Sequence, residues 1–245
     1  MNIALIGYGK MGKEIERLAG ERKIAVKRIF DVGDNPGGKG LTKESLKGVD
    51  VCIDFSAPDA ALPNIKAAAA CGVNIVVGTT GWYNKLRQAE ALARSKKIGL
   101  LYSPNFSLGI NVFFKLVLEA GSLIDKIKEY DVAVSETHHR GKLDSPSGTA
   151  VLIGNMILTR MRRKKGLFLE TFHGQIPKEL LHIASRRVGS VVGKHEVLFD
   201  SEQDSIELVH TAKNRTGFAL GALVGAEWLK GKKGTFTMRD VVNTL

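Results

Sequence analysis

The stretch from Asn2 to Gly12 reads NIALIGYGKMG, an apolar run from Ile3 to Ile6 that passes directly into Gly7-Tyr8-Gly9-Lys10-Met11-Gly12. Behind it, Met11, Ile15 and Leu18 recur at the spacing of one helix face. A G-x-G-x-x-G pattern between a strand and a helix is a dinucleotide-binding fingerprint. Gly7 permits the tight turn, Gly9 lets the backbone approach a pyrophosphate, and Gly12 lets the helix pack on the sheet. Glycines alone mark many turns, so the strand before this loop and the helix after it are what make the pattern informative.

Working outward, a second strand from Ile24 to Phe30 ends in Asp31, nineteen residues after Gly12. An acid at that tip can accept hydrogen bonds from the ribose hydroxyls of NAD and repels the extra phosphate of NADP. No arginine follows directly, so NADH is the expected preference, with NADPH as the second cofactor and Lys10, Lys27 or Arg28 available to a phosphate. The loop Asp34 to Gly38 and the short segment up to Gly48 predict an abbreviated connection rather than a full helix. Strands then read at Val51–Phe55, Val73–Val77 and Ile98–Tyr102, alternating with helices from Ser56-Ala57-Pro58 to Ala70 and from Trp82 to Ser95. Such alternation predicts an α/β fold, a Rossmann-type doubly wound parallel sheet whose ligands bind at the carboxyl ends of the strands.

After a helix from Leu108 to about Ile124 the pattern changes. Strands are expected at Asp131–Glu136, Ile183–Arg187, Glu196–Phe199 and Ser205–Thr211, with no long helix between the last two. This predicts a second α+β domain built on a mixed sheet. The expected division is a dinucleotide-binding domain at 1–105, completed by 215–245, and a substrate-binding and oligomerisation domain at 106–214. Gly217, Gly221 and Gly225 within a helix from Thr216 to Leu229 allow close packing.

The densest chemistry lies in Glu136 to Ala150, ETHHRGKLDSPSGTA. With Ser145 as N-cap and Pro146 as the first helical residue, the amides of Ser147, Gly148 and Thr149 would point out of the helix and bind an anion. His138, His139 and Lys142 sit just upstream, so one segment offers a proton donor, a fixed positive charge and a carboxylate cradle. Each feature alone is ordinary surface or capping chemistry; their concentration within fifteen residues points to a site for a small anion.

Glu136-x-His138-His139-x-x-Lys142-x-Asp144-x-Pro146-Ser147-Gly148-Thr149-Ala150 resembles the signature segment of the dihydrodipicolinate reductase family. Gly78-Thr79-Thr80-Gly81 and Ser103-Pro104-Asn105-Phe106-Ser107-Leu108-Gly109-Ile110-Asn111 also resemble that family's motifs, and the likeness covers essentially the whole chain. The resemblance implies a pyridine-nucleotide reductase acting on a cyclic unsaturated imine dicarboxylate or its hydroxylated precursor. It implies His138 as general acid/base, Lys142 as second proton donor and charge partner, and His139 with Ser147, Gly148 and Thr149 on a substrate carboxylate. It further implies that Gly78, Thr79 and Thr80 flank the nicotinamide ribose, that Ser103, Pro104, Asn105 and Phe106 lie beside the nicotinamide, that Arg187 faces substrate, and that the assembly is a homotetramer. Two other readings compete. An aspartate or homoserine dehydrogenase-like enzyme would share the glycine fingerprint without HHxxK and SGT; a nucleotide-sensing protein would need no proton-transfer set.

Composition restricts the classes further. Lys and Arg number 36 against 25 Asp and Glu, a net charge of +11, with 7% aromatic residues. The densest basic run, Arg160 to Lys165, is expected to close the helix that begins at Pro146, where cations complement the dipole. The charge therefore reads as attraction for a small anionic substrate, with no nucleic-acid and no membrane partner. Cys52 and Cys71 form no paired framework or metal spacing, so no metal is expected, and a cytoplasmic location is.

Overall fold

The apolar run at Asn2–Ile6 forms strand β1, buried from Ile3 onward, and the glycine loop turns it into helix α1 (Lys10–Glu21), which buries Gly12, Ile15, Leu18 and Ala19. Gly7 turns at φ +88°, and a Cβ there would stand 2.4 Å from the Phe55 carbonyl oxygen. After β2 (Ala25–Phe30) the chain makes a single 3-10 turn at Pro36–Gly38 and reaches β3 (Val51–Asp54) without a helix, the abbreviated connection expected. Pro58 opens α2 (Pro58–Ala70) as its first residue, where a missing N–H is harmless. β4 (Asn74–Val77), α3 (Leu86–Lys96), β5 (Gly99–Tyr102) and α4 (Leu108–Ile124) follow. Next come β6 (Asp131–His138), α5 (Gly148–Leu158), β7 (Gly166–Phe168), β8 (Leu180–Arg187), β9 (Gly193–Asp200) and β10 (Ser205–Ala212). The chain ends in α6 (Thr216–Leu229), β11 (Gly234–Thr237) and α7 (Met238–Val242).

This computed structural model describes residues 1–170 and 173–245, in two units: Met1–Asn111 with Arg215–Leu245, and Val112–Asn214. The first unit is built on a six-stranded sheet of order β11-β5-β4-β3-β1-β2, parallel throughout. This is the doubly wound α/β architecture expected. β1 lies between β2 and β3, so the strand order reverses there and opens the crevice where such sheets take ligands. One core layer packs Ile65, Ala68, Trp82 and Ala93 on one face of the sheet; the other packs Ile15, Phe106, Leu223 and Ala226 on the opposite face. The returning C-terminal segment is fastened by Asn74, whose amide donates to the Leu229 carbonyl at 2.8 Å and accepts from Gly99 N at 2.7 Å. Of the three helical glycines, Gly221 makes the closest approach, since a Cβ there would lie 1.7 Å from the Phe106 carbonyl oxygen.

The second unit carries a five-stranded sheet of order β10-β9-β6-β8-β7. β6 pairs parallel with β8 and antiparallel with β9, making the sheet mixed as expected. β7 and β11 were not foreseen; at three and four residues they carry no periodicity to read.

Two local expectations are corrected. α5 begins at Gly148, with Ser147 rather than Ser145 as its N-cap, and Pro146 precedes the helix. The Ser147 hydroxyl accepts from Ala150 N at 3.2 Å, the amide an N-cap side chain normally reaches. The basic run 160–165 lies beyond the last helical turn. There Arg163 donates to the Ile127 and Ile124 carbonyls, and the buried Lys164 donates to the carbonyls of Lys178 and Leu180 while pairing with Asp131 at 2.6 Å. These cations satisfy carbonyls and an acid rather than the dipole of α5, and Arg163 does so at the C-terminal end of α4.

Candidate active site

In the first unit, two adjoining cavities of about 600 and 500 Å³ run along the carboxyl ends of the parallel strands and share Gly9, Phe55 and Ser56. The larger is lined by Lys10, Met11, Gly78, Thr79, Thr80, Pro104 and Phe106, all expected, and by Pro58, Arg215 and Phe218, which were not. The smaller takes in Gly7, Tyr8 and Asp31. A Cβ at Gly9 would meet nothing within 4 Å, so the backbone there lies open to a ligand. Asp31 accepts from Val32 N at 2.9 Å and Tyr8 N at 3.4 Å through Oδ1, and its Oδ2 has no partner among the described residues. Lys10 and Arg215 bring two cations to the larger cavity. An open glycine backbone, a half-used carboxylate and two cations fit a dinucleotide.

Gly12, Ser103 and Asn105 do not line either cavity. Gly12 has the Gly7 carbonyl oxygen 2.3 Å from where a Cβ would stand, so it serves helix packing. The Ser103 hydroxyl donates to the Asn105 carbonyl at 2.7 Å, and Asn105 Oδ1 accepts from Ser107 N at 3.0 Å, so this pair shapes the turn presenting Pro104 and Phe106.

Beneath the cavity lies a polar network that the sequence reading missed. Asp54, fully buried, accepts from Ser56 N and Oγ, from Thr79 Oγ1 and from Asn64 Nδ2, at 2.6–3.0 Å. Burial pushes its carboxyl up, against those hydrogen bonds. Thr79 is held twice, because its carbonyl also accepts from the buried Trp82 Nε1 at 2.8 Å. The signal available in the sequence was a lone acid ending an apolar strand, with a hydroxyl residue, Ser56, just after it and two more, Thr79 and Thr80, at the next strand end.

In the second unit the organising group is Glu136, 1% exposed. Its Oε2 meets His138 Nδ1 at 2.5 Å and accepts from Arg187 Nη1 at 2.9 Å; its Oε1 accepts from Arg187 Nη2 at 2.7 Å and Ser147 N at 3.0 Å. Burial alone would raise this carboxyl, but Arg187, His138 and the Ser147 amide outweigh it and hold it at about 2. The ionised Glu136 can only accept, so His138 Nδ1 carries a proton, and in the neutral ring the lone pair lies on Nε2. His195, on β9, stacks edge-on against His138 with ring centres 5.2 Å apart, and its Nε2 is 3.2 Å from Ser147 Oγ. Burial, reinforced by the neighbouring His138, lowers His195 to about 4.

Several expected substrate ligands are already engaged. Arg187, expected to face substrate, is instead clamped on Glu136 and on the Asp144 carbonyl at 2.6 Å. Lys142 pairs with Asp144 at 2.7 Å, and the other Asp144 oxygen accepts from Gly148 N at 3.2 Å. The expected trio of free amides is therefore reduced: Ser147 gives its amide to Glu136 and Gly148 gives its amide to Asp144, because carboxylates from the same segment satisfy the helix terminus. The amide and hydroxyl of Thr149 keep no partner among the described residues, and the His139 side chain is exposed.

Residues 1–106 match the family described as Dihydrodipicolinate reductase, N-terminus, and residues 109–242 match its C-terminus. The chain belongs to the dihydrodipicolinate reductase family. A 4-hydroxy-tetrahydrodipicolinate reductase from Christiangramia forsetii is 40% identical over 100% of this chain and 99% of its own length. One from Archaeoglobus fulgidus is 38% identical over 98% and 99% respectively. Among solved structures, the dipicolinate-bound dihydrodipicolinate reductase from Paenisporosarcina sp. TG-14 superimposes with a TM-score of 0.80 at 26% identity, covering 100% of this chain and 99% of that one. Among the described residues no cluster suited to a metal ion occurs, and no helix is long and apolar enough to cross a membrane.

Proposed function

We propose that this chain catalyses the NAD(P)H-dependent reduction of 4-hydroxy-tetrahydrodipicolinate to tetrahydrodipicolinate in the diaminopimelate and lysine pathway, the 4-hydroxyl leaving as water and the resulting unsaturated ring taking the hydride and a proton. The observation that carries the proposal is the signature segment, in which a buried glutamate holds the catalytic candidate His138 beside the start of α5 in a chain matching the reductase family in both halves. NAD(P)H supplies the hydride. The protein must hold the cofactor, neutralise two carboxylates and deliver a proton to the reduced ring.

In this reading Gly7, Tyr8, Gly9, Lys10 and Met11 cradle the pyrophosphate, with Arg215 adding a second cation. Gly78, Thr79, Thr80, Pro104 and Phe106 form the nicotinamide end. Asp31 takes the ribose hydroxyls through its open Oδ2 and makes NADH the preferred nucleotide. His138 Nε2 donates the proton, while Lys142, His139 and the Thr149 amide and hydroxyl meet substrate carboxylates. A homotetramer in the cytoplasm completes the proposal, since the second unit's sheet leaves Ile206 and Val209 of its edge strand exposed, and a second copy would cover them.

The test supplies substrate generated from pyruvate and aspartate semialdehyde and follows NADH and NADPH oxidation separately. Turnover with both nucleotides, faster with NADH, is expected. Nucleotide binding without turnover would replace the enzyme by a sensor.

A further inference from the structure

The signature segment contains a carboxylate that neither proton transfer nor substrate binding uses, although four hydrogen bonds converge on it. Glu136 directs each of its two oxygens at two donors, one of which on each side belongs to Arg187. A glutamate kept only as an ion-pair partner for Arg187 would be satisfied by that two-pronged contact. Here the remaining acceptor positions go to His138 Nδ1 and to the Ser147 amide at the start of α5. One buried group thus ties together the ring that would move the proton and the helix end that would meet a carboxylate. His138 and Arg187 are register partners on the parallel strands β6 and β8, so the clamp is set by sheet pairing and not by loop placement.

We infer that Glu136 is the positioning residue of this site: it fixes the tautomer and ring plane of His138 so that Nε2 is the exchanging nitrogen, and Arg187 acts through Glu136 instead of on the substrate. The inference rests on the proposed role of His138 as proton donor. An acceptor-only carboxylate at Nδ1 requires Nδ1–H in the neutral ring, which leaves the Nε2 lone pair to take and give the proton. The other side of the ring is closed as well. The edge of His195 stacks against it, and a Cβ at Gly193 would come within 2.9 Å of Nε2, so the imidazole has little room to turn. The charged groups around it are Glu136 on its own strand, Arg187 on β8, and Lys142 with Asp144 in the following loop, and the neutral His195 on β9 is the other titratable group against it.

Glu136→Gln tests this with almost no change of shape. Four donors converge on the carboxylate, so an amide nitrogen in place of either oxygen must face a donor. The imidazole can relieve the conflict by becoming an acceptor at Nδ1, which moves the neutral-ring proton to Nε2. Nitrogen-15 NMR of histidine-labelled protein should therefore report the opposite His138 tautomer, and kcat should fall about 10²–10⁴-fold with KM changed much less. Nucleotide affinity, a property of the first unit, should stay at the wild-type value and serves as the folding control. Arg187→Lys keeps a positive charge but cannot clasp both oxygens; it should lower kcat more than it raises KM, and it carries the test should Glu136→Gln fail to fold. An unchanged tautomer in Glu136→Gln with kcat within about twofold of wild type overturns the inference, as does an Arg187→Lys variant whose only defect is a raised KM. Full activity in His138→Gln would instead remove the proposed role of His138, and the tautomer measurement would still decide whether Glu136 orients the ring.

Discussion

Between neutral and mildly acidic pH, His195 should dominate the acid sensitivity of the second unit. Its ring is 6% exposed, flanked by His138 and Glu136 on β6 and by His210 on β10, with Ser147 at its Nε2. Burial and the neighbouring His138 lower it from 6.5 to about 4, so the fold holds it neutral while the unfolded chain binds a proton at higher pH. The stability it contributes is complete above about pH 6.5 and is lost as pH falls towards 4. At about 1.4 kcal/mol per unit, that depression corresponds to about 3 kcal/mol between pH 7 and 4. His195→Gln keeps a hydrogen-bonding amide near Ser147 and removes the titration. Relative to wild type, the variant should be destabilised at pH 7 and should recover by about 3 kcal/mol at pH 4. With an m-value of about 2–3 kcal/mol/M, this is about 1 M in urea midpoint. Urea unfolding followed by hydrogen exchange in peptides of β6 and β9 isolates the second unit. A stability difference between the two proteins that stays constant from pH 7 to 4 would show that His195 is not buried as a neutral ring. Glu136 adds a separate loss at lower pH, because its depressed carboxyl keeps its contribution until pH falls from about 4.5 towards 2.

Three further outcomes test other parts of the structure. Asp31→Ala should weaken NADH more than NADPH, since it removes an acceptor from one and a repulsion from the other; equal losses in calorimetric titrations would take Asp31 out of the site. Thr149→Val deletes the open hydroxyl at the start of α5 and should raise substrate KM while nucleotide affinity stays constant, whereas a loss of NADH binding would assign that helix end to the cofactor. Gly221→Ala drives a methyl into the Phe106 carbonyl and should destabilise by about 1–3 kcal/mol or more, read as a lowered Tm; an unchanged Tm would mean that α6 does not approach β5 and its following turn this closely.

The features legible in the sequence were those written in adjacent residues. A strand running into Gly7-Tyr8-Gly9, an acid at the end of the second strand, and hydroxyl or glycine residues at later strand ends carry their meaning locally. The unread features depend on distant pairings. Asp54 looks like one more residue of an apolar strand until Asn64 and Thr79 fold onto it. Only the family resemblance places Arg187 at the substrate, and its contact with Glu136, 51 residues away, has no local signal. The start of α5 was misplaced for a local reason, since Ser145 and Ser147 are both able caps. The choice between them follows from Ser147 also giving its amide to Glu136, a contact from another element.

The two candidate cradles of this protein rest on the same backbone physics and differ in how they are filled. In each, a strand passes through a loop to a helix whose partner strand runs parallel beside it: β1 through the glycine loop to α1 and β2, and β6 through the signature loop to α5 and β8. Parallel pairing places the carboxyl ends of both strands together next to the helix N-terminus, where unsatisfied amides gather. At α1 no side chain caps the terminus and Gly9 leaves it open, which suits a pyrophosphate that brings its own charge. At α5 the chain supplies two carboxylates of its own, Glu136 on Ser147 and Asp144 on Gly148, leaving Thr149 open. In the proposed function, an incoming carboxylate there meets a terminus already partly neutralised, and Lys142 and His139 would supply the remaining partners. Parallel pairing also makes His138 the register partner of Arg187; an antiparallel β8 in the same place would carry Arg187 to the far end of the sheet and leave Glu136 a buried charge without its clamp.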